Sequence, residues 1–175
     1  KYTFSYRIRF TSRLKELTSD INAMKLVDLV WQNSYKNRIA LIQKDSDWWK
    51  WRYGQSTESY RTFSLRHDKQ FENVYLVAKI SNKSIFSHID ICDIVGETED
   101  LELDILKEFI KKFRSPFRKI RVWTKAGSKA NLVLEKYKFS FSRKINFVLF
   151  KNPGYEALCE KQLNFTLDLG DTDNT

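Results

Sequence analysis

The chain has 175 residues, 42% of them hydrophobic and 15% aromatic, and its 31 basic against 22 acidic side chains leave a formal charge of +9. That composition is too apolar for a disordered segment and suits a single domain with its own core. No apolar run approaches the roughly 18 residues of a membrane helix, no charged-then-apolar leader opens the chain, and two cysteines, Cys92 and Cys159, are too few for a disulfide scaffold. A soluble, cytoplasmic protein with two packed thiols is expected.

In chain order, "YTFSYRIRF" (2–10) alternates apolar and polar residues and predicts a strand. "SDINAMKLVDLVWQNSY" predicts a helix capped by Ser19 or Asp20, with Ile21, Met24, Val27, Val30 and Trp31 inward. A short apolar run, "IALIQ", precedes "DSDWWKWRYGQSTESY", dense in aromatics and turn formers. Three strands are predicted next, in "RTFSLR", "NVYLVAKIS" and "SHIDICDIV". "DLELDILKEFIKKF" is an amphipathic helix with Leu103, Leu106, Phe109, Ile110 and Phe113 inward, acidic in its first turn and basic in its last, as the helix dipole favours. "KIRVWTK" predicts a strand, "SKANLVLEKY" a helix capped by Ser128, "FSFSRKINFVLFK" a long strand and "GYEALCEK" a short helix. At the end, Leu163, Phe165, Leu167 and Leu169 share one side of a last strand, after which Asp171 and Asp173 read as a solvated tail and not as a metal site.

The positive charge is uneven. Residues 91–110 carry one basic against seven acidic side chains, an acidic island in a basic protein. A basic surface attracts nucleotides, nucleic acids or lipid head groups, yet scattered lysines more often make a solvated face, and no nucleic-acid-binding motif accompanies them. Phosphate-binding, serine-hydrolase and zinc-protease signatures are also missing from the sequence.

Strands and helices in this order predict an α+β fold of three layers, α/β/α, with a central mixed, mostly antiparallel sheet of about seven strands, formed by residues 1–175 as one domain. The order resembles that of the GNAT superfamily of N-acyltransferases, where three consecutive strands make a meander and the fourth strand and the following helix cradle acyl-CoA. "KDSDWWKWRYGQSTESY" is similar to a "D-x-x-x-L-x-W-R-Y … Y" stretch in a GNAT branch found with bacterial surface-polysaccharide biosynthesis, matching at Asp47, Trp51, Arg52, Tyr53 and Tyr60. "NFTLDLGDTDNT" looks like that branch's "W-x-F-T-x-G-D-S-D" ending at Phe165, Thr166, Gly170, Asp171 and Asp173.

The resemblance implies acyl transfer from acetyl-CoA or another acyl-CoA to an amine such as an amino sugar. It places the pantetheine arm on backbone groups of Ile94, Val95 and Gly96, and the cofactor also near Ser128 and Asn131. It further implies that the strands "HIDICDIV" and "KIRVWTK" part at their C-terminal ends. The chain departs from the superfamily in two places. Its phosphate-binding signature, Q/R-x-x-G-x-G/A, is replaced by "IVGETEDLEL", where Glu97, Glu99, Asp100 and Glu102 would repel a pyrophosphate. Its usual tyrosine acid is replaced by Leu134, with Lys138 where a glycine would stand.

An amine must lose a proton before it attacks an acyl carbonyl, so a base is needed in the cleft. Asp93, last on its strand before the loop, is the candidate base; strict alternation puts it on the face of Ile89 and Ile91, opposite His88 and Asp90. The same carboxylate could instead cap the loop or pair with an arginine. Trp51, Arg52, Tyr53 and His88 are candidate substrate contacts. The indoles could equally plug the sheet, Arg52 pair with a carboxylate, and His88 face solvent. Two other readings stand beside acyl-CoA transfer: a Fem-type transferase using aminoacyl-tRNA, which suits the basic flanks, and a non-catalytic partner domain. The opening at Lys1 suits the latter, with a second GNAT-like domain or a homodimer as partner.

Overall fold

The computed structural model describes residues 13–17, 20–34, 44–54, 59–81, 87–114, 118–124 and 127–140. The strands expected at 2–10 and 163–169, residues 141–151 of the strand expected at 139–151, the run 39–43, the helix at 154–161, Cys159 and the tail carboxylates lie outside them. The described elements run β1 (Leu14–Glu16), α1 (Asp20–Ser34), α2 (Ser46–Trp49), a π-helical turn (Lys50–Gly54), β2 (Tyr60–His67), β3 (Gln70–Ser81), β4 (Ser87–Gly96), α3 (Glu99–Phe113), β5 (Arg118–Arg121) and α4 (Lys129–Lys136). One five-stranded sheet has the order β1-β2-β3-β4-β5. Its first three junctions are antiparallel and β4–β5 is parallel, so the sheet is mixed as expected. Strand β1 has only three residues, too few for a periodic pattern to show in the sequence.

Alternation along β3 separates two cores. Val74, Leu76, Ala78 and Ile80 pack with Phe63, Leu65, Ile89, Ile91 and the buried side of α3, Ile105, Leu106, Phe109 and Ile110. Tyr75 and Val77 point to the other face and meet Ala23, Leu26, Val27 and Val30 of α1 with Trp49 and Tyr53. The sheet is therefore covered on both faces, the three layers that the element order predicted. The inward stripe of α1 holds Val27 and Val30 as expected, but its other members differ. Ala23 and Leu26 are buried, whereas Met24 and Trp31 are half-buried at the margin, because the small Ala23 lets the helix lie close on Tyr75 and Val77.

Helix α3 carries its own termination signals. Thr98 accepts a hydrogen bond from Leu101 N–H at 3.3 Å, Glu99, Asp100 and Glu102 occupy the first turn, and Lys111 and Lys112 the last. The short loop from β4 into this helix fixes where Gly96 and Glu97 stand.

Strand β5 ends earlier than the sequence pattern predicts. Its parallel ladder with β4 runs from Ser87↔Arg118 to Asp90↔Arg121 and stops there, while β4 continues through Gly96. Val122, Trp123 and Thr124 are not strand residues. At the last rung Arg121 grips the Asp90 carboxylate with both Nε and Nη2, the latter at 2.6 Å, and this contact raises the arginine's pKa further above its ordinary value.

Helix α4 ends in a Schellman motif. Phe139 N–H donates to Leu134 C=O at 3.1 Å and Lys138 N–H to Glu135 C=O at 2.9 Å, with Lys138 itself at φ 61°. The left-handed conformation at this position costs a non-glycine residue about 1 kcal/mol. Lys138→Gly is expected to raise the melting temperature by about 2–4 °C. A lowered value in differential scanning calorimetry would show that the turn does not persist in solution.

Candidate active site

Strand β4 contains a bulge that re-aims its end. The register jumps from Val77↔Asp93 to Ala78↔Ile91, so Cys92 is an extra residue opposite β3. Ile89 and Ile91 stay with the α3 core, but Cys92 and Val95 pack in the α1 core. Asp93 is carried to that second face too, where it meets Tyr53 and Lys44. The expectation that Asp93 shares the face of Ile89 and Ile91 is therefore corrected: simple alternation holds only up to the extra residue.

Asp93 has no solvent exposure at all. Lys44 Nζ donates to its Oδ1 at 2.6 Å and the Tyr53 hydroxyl donates to its Oδ2. The lysine is itself almost covered, with its ammonium 5.3 Å from the centre of the Trp48 ring. A buried carboxylate is tolerable only with a counter-charge and hydrogen-bond donors, and both are supplied by one segment of chain.

That segment is built for the task. Asp45 caps α2 by accepting from Trp48 N–H at 3.0 Å, and Asp28 of α1 accepts from Ser46 N–H at 2.8 Å, which ties the turn to the first helix. The helix then widens into the π-turn Lys50–Gly54. In the result Trp49 and Tyr53 point inward while Trp51 is 64% exposed. Tyr53 sits within a ring cluster, with centroids of Trp48 at 5.5 Å, Trp49 at 6.4 Å and Tyr60 at 4.9 Å. Burial first, and then the Asp93 charge, push its phenol far above the ordinary value, so it stays a hydrogen-bond donor at any working pH.

The sequence-derived site residues are thus only partly gathered. Asp93 and Tyr53 touch. Trp51 lies on the surface, and His88, at the opposite end of β4 in register with Ser81 and Lys119, is about 16 Å along the strand from Asp93. Arg52 is half-buried between them in sequence. Ser128 accepts from Asn131 N–H at 3.2 Å and bonds the Thr124 hydroxyl at 2.9 Å, while Asn131 Nδ2 donates to Glu135 Oε1 at 2.8 Å; both residues serve the start of α4. Leu134 is core. Lys44, the cation of the cluster, escaped the sequence reading because its partner lies 49 residues away and no spacing encodes that contact.

Beyond the Asp90–Arg121 rung the two parallel strands no longer pair. Glu97 N–H donates to Asn73 C=O at 2.9 Å, so by the alternation of an antiparallel ladder the N–H and C=O of Gly96 and Ile94 point away from β3, toward the side of β5. Ile94 has no strand partner on that edge among the described residues. At its far end Gly96 N–H donates to Glu102 Oε1 at 2.9 Å. This stretch of β4, unpaired with β5, runs from the Asp90–Arg121 rung to the start of α3.

No protein-family model matches the chain, and no curated protein sequence matches it. Among solved structures it is similar to an aminoglycoside acetyltransferase from an uncultured soil metagenomic sample in complex with sisomicin, at 10% identity and a TM-score of 0.47 over 79% of this chain and 95% of that one. The trehalose complex of that enzyme gives 11% identity and a TM-score of 0.42 over the same shares. Among the described residues no helix is long and apolar enough to cross a membrane.

Two expectations follow from the cluster. Asp93→Asn removes the carboxylate charge that faces the buried Lys44 ammonium and is expected to cost about 3–5 kcal/mol, against about 1 kcal/mol for Tyr53→Phe; urea unfolding with an unchanged midpoint for Asp93→Asn would contradict it. Cys92, whose thiol burial pushes up to about 12, contributes stability that is complete below the unfolded thiol's pKa near 9.0 and is lost as pH rises toward 12. Cys92→Ala should flatten that part of the stability-against-pH curve, and an identical curve would refute the assignment.

Proposed function

We propose that the chain is an N-acyltransferase-like domain of the GNAT type that seats an acyl thioester in the gap between β4 and β5 and passes the acyl group to an amine. The observation that carries this reading is the early end of the β4–β5 ladder, which leaves Ile94 with a donor and an acceptor facing an opening beside a bulge. An extended arm with amide groups can add there as a short strand, its amides bonding to Ile94 N–H and C=O. Val95 contributes through its inward side chain, which packs beneath the bulge.

The base is not Asp93 directly. A carboxylate with no exposure and two donors has no route to the amine, so Asp93 acts as a positioning residue that holds Tyr53, Lys44 and the bulge in place. The amine's proton passes to water in the gap, held by the C=O of Ile94, and the released thiolate takes a proton from solvent. An amino sugar of the kind used in surface polysaccharides is the acceptor proposed, with exposed Trp51 as a stacking platform for its ring. A second reading, a non-catalytic partner domain, is favoured by that same sealed carboxylate.

The two readings separate in one assay. Incubation with acetyl-CoA or S-acetylpantetheine and glucosamine, followed by mass spectrometry, should give N-acetylglucosamine at a rate proportional to protein. A thermal shift of the protein by the thioester without any product would instead support the partner-domain reading. Neither shift nor product would remove the acyl-transfer reading.

A further inference from the structure

Four carboxylates crowd the place where α3 begins, and their contacts are not equivalent. Glu97 Oε2 accepts from Asn73 Nδ2 at 2.8 Å, Glu99 pairs with Lys129 at 2.8 Å, and Asp100 is exposed. Glu102 alone among these contacts turns back from the helix to a main-chain N–H on the gap-facing edge of β4, that of Gly96. The glycine is used by this contact. A Cβ at Gly96 would lie 2.9 Å from Glu102 Cγ, 3.1 Å from Val74 Cγ2 and 3.2 Å from Thr98 O, so the space left by the missing side chain is filled by the glutamate's own stem.

Backbone N–H groups at such a strand-to-helix turn ordinarily attract anions. Here the anion is built in. We propose, on the basis of the acyl-transfer reading above, that Glu102 stands in for the diphosphate of a nucleotide thioester, so that the acyl donor this chain accepts is one whose arm carries no diphosphate beside α3. The glutamate excludes a diphosphate in two ways: it occupies the Gly96 donor, and its charge, with Glu97, Glu99 and Asp100 nearby, repels a second anion. A neutral arm reaching only as far as Ile94 meets neither obstacle.

Inorganic pyrophosphate is the direct probe, because it tests the plug without any acyl chemistry. Isothermal titration calorimetry of the wild-type protein should show no saturable binding, and Glu102→Ala, which removes the carboxylate from the Gly96 N–H and is compatible with a helix, should gain at least tenfold in affinity. Glu102→Gln keeps an acceptor for Gly96 while removing the charge, and should gain at least threefold; it carries the test if the alanine variant does not fold by circular dichroism. Equal behaviour of wild type and variants, whether all bind or none does, overturns the proposal. S-acetylpantetheine should bind wild type within about threefold of acetyl-CoA, whereas acetyl-CoA binding at least tenfold tighter would also overturn it. Failure of both thioesters to bind any of the proteins, with the pyrophosphate gain intact, would instead reject the acyl-transfer reading and leave the plug standing.

Discussion

The arrangement rests on one buried carboxylate. Asp93 lies at zero exposure on the α1 face of β4 because Cys92 is inserted as an extra residue before it, and Lys44 and Tyr53 give it a counter-charge and a donor there. Those two donors come from either end of the segment 44–54. The segment must therefore lie across the end of β4, which brings Trp48, Trp49 and Tyr53 over Tyr75 and Val77 and gives α1 its second support through Asp28 and Ser46. Removing the carboxylate would take away the acceptor that the buried ammonium and the buried phenol share.

Two polar contacts bound the gap beside it, and both are internal. At one end Arg121 holds Asp90 with two nitrogens at the last rung of the parallel ladder; at the other Glu102 holds the N–H of Gly96. Between these ends β4 continues without β5, and the groups it presents there are neutral main-chain ones. An opening of this kind favours an uncharged, extended, amide-bearing ligand over a multiply charged one, because a peptide-like arm replaces water at Ile94 without bringing a charge near the α3 carboxylates. The acidic island, which in the sequence is only a local reversal of charge, is in the fold the first turn of α3, next to the end of β4.

Much of this was readable before folding. Helix α3 announces itself through its apolar spacing and its charge gradient, and β2, β3 and β4 through alternation, since local propensity and burial agree in each. The end of β5 was not readable from periodicity, since "KIRVWTK" alternates well, although the resemblance implied that it and "HIDICDIV" part; the ladder with β4 stops at Asp90, just before the bulge. The bulge was hidden for a similar reason. "HIDICDIV" has a period of two on paper, and only the partner strand reveals that Cys92 has no opposite residue, which is why Asp93 was placed on the wrong face. The π-turn at Lys50–Gly54 likewise turned what read as a loop into a device that separates Trp51 from Tyr53. Asp93 stands out in the sequence as a carboxylate near the end of its strand, but its lysine partner depends on a contact across 49 residues that no local pattern records.

The most direct measurement is a titration of the uniformly ¹⁵N-labelled protein with S-acetylpantetheine, followed residue by residue in the amide spectrum. The predicted result is a saturable shift of the Ile94 amide, which faces the gap, while the Gly96 amide, held by Glu102, stays in place. A titration that leaves Ile94 unmoved, or that moves only surface amides remote from β4 and β5, would contradict the assignment of this gap as an acyl-donor site.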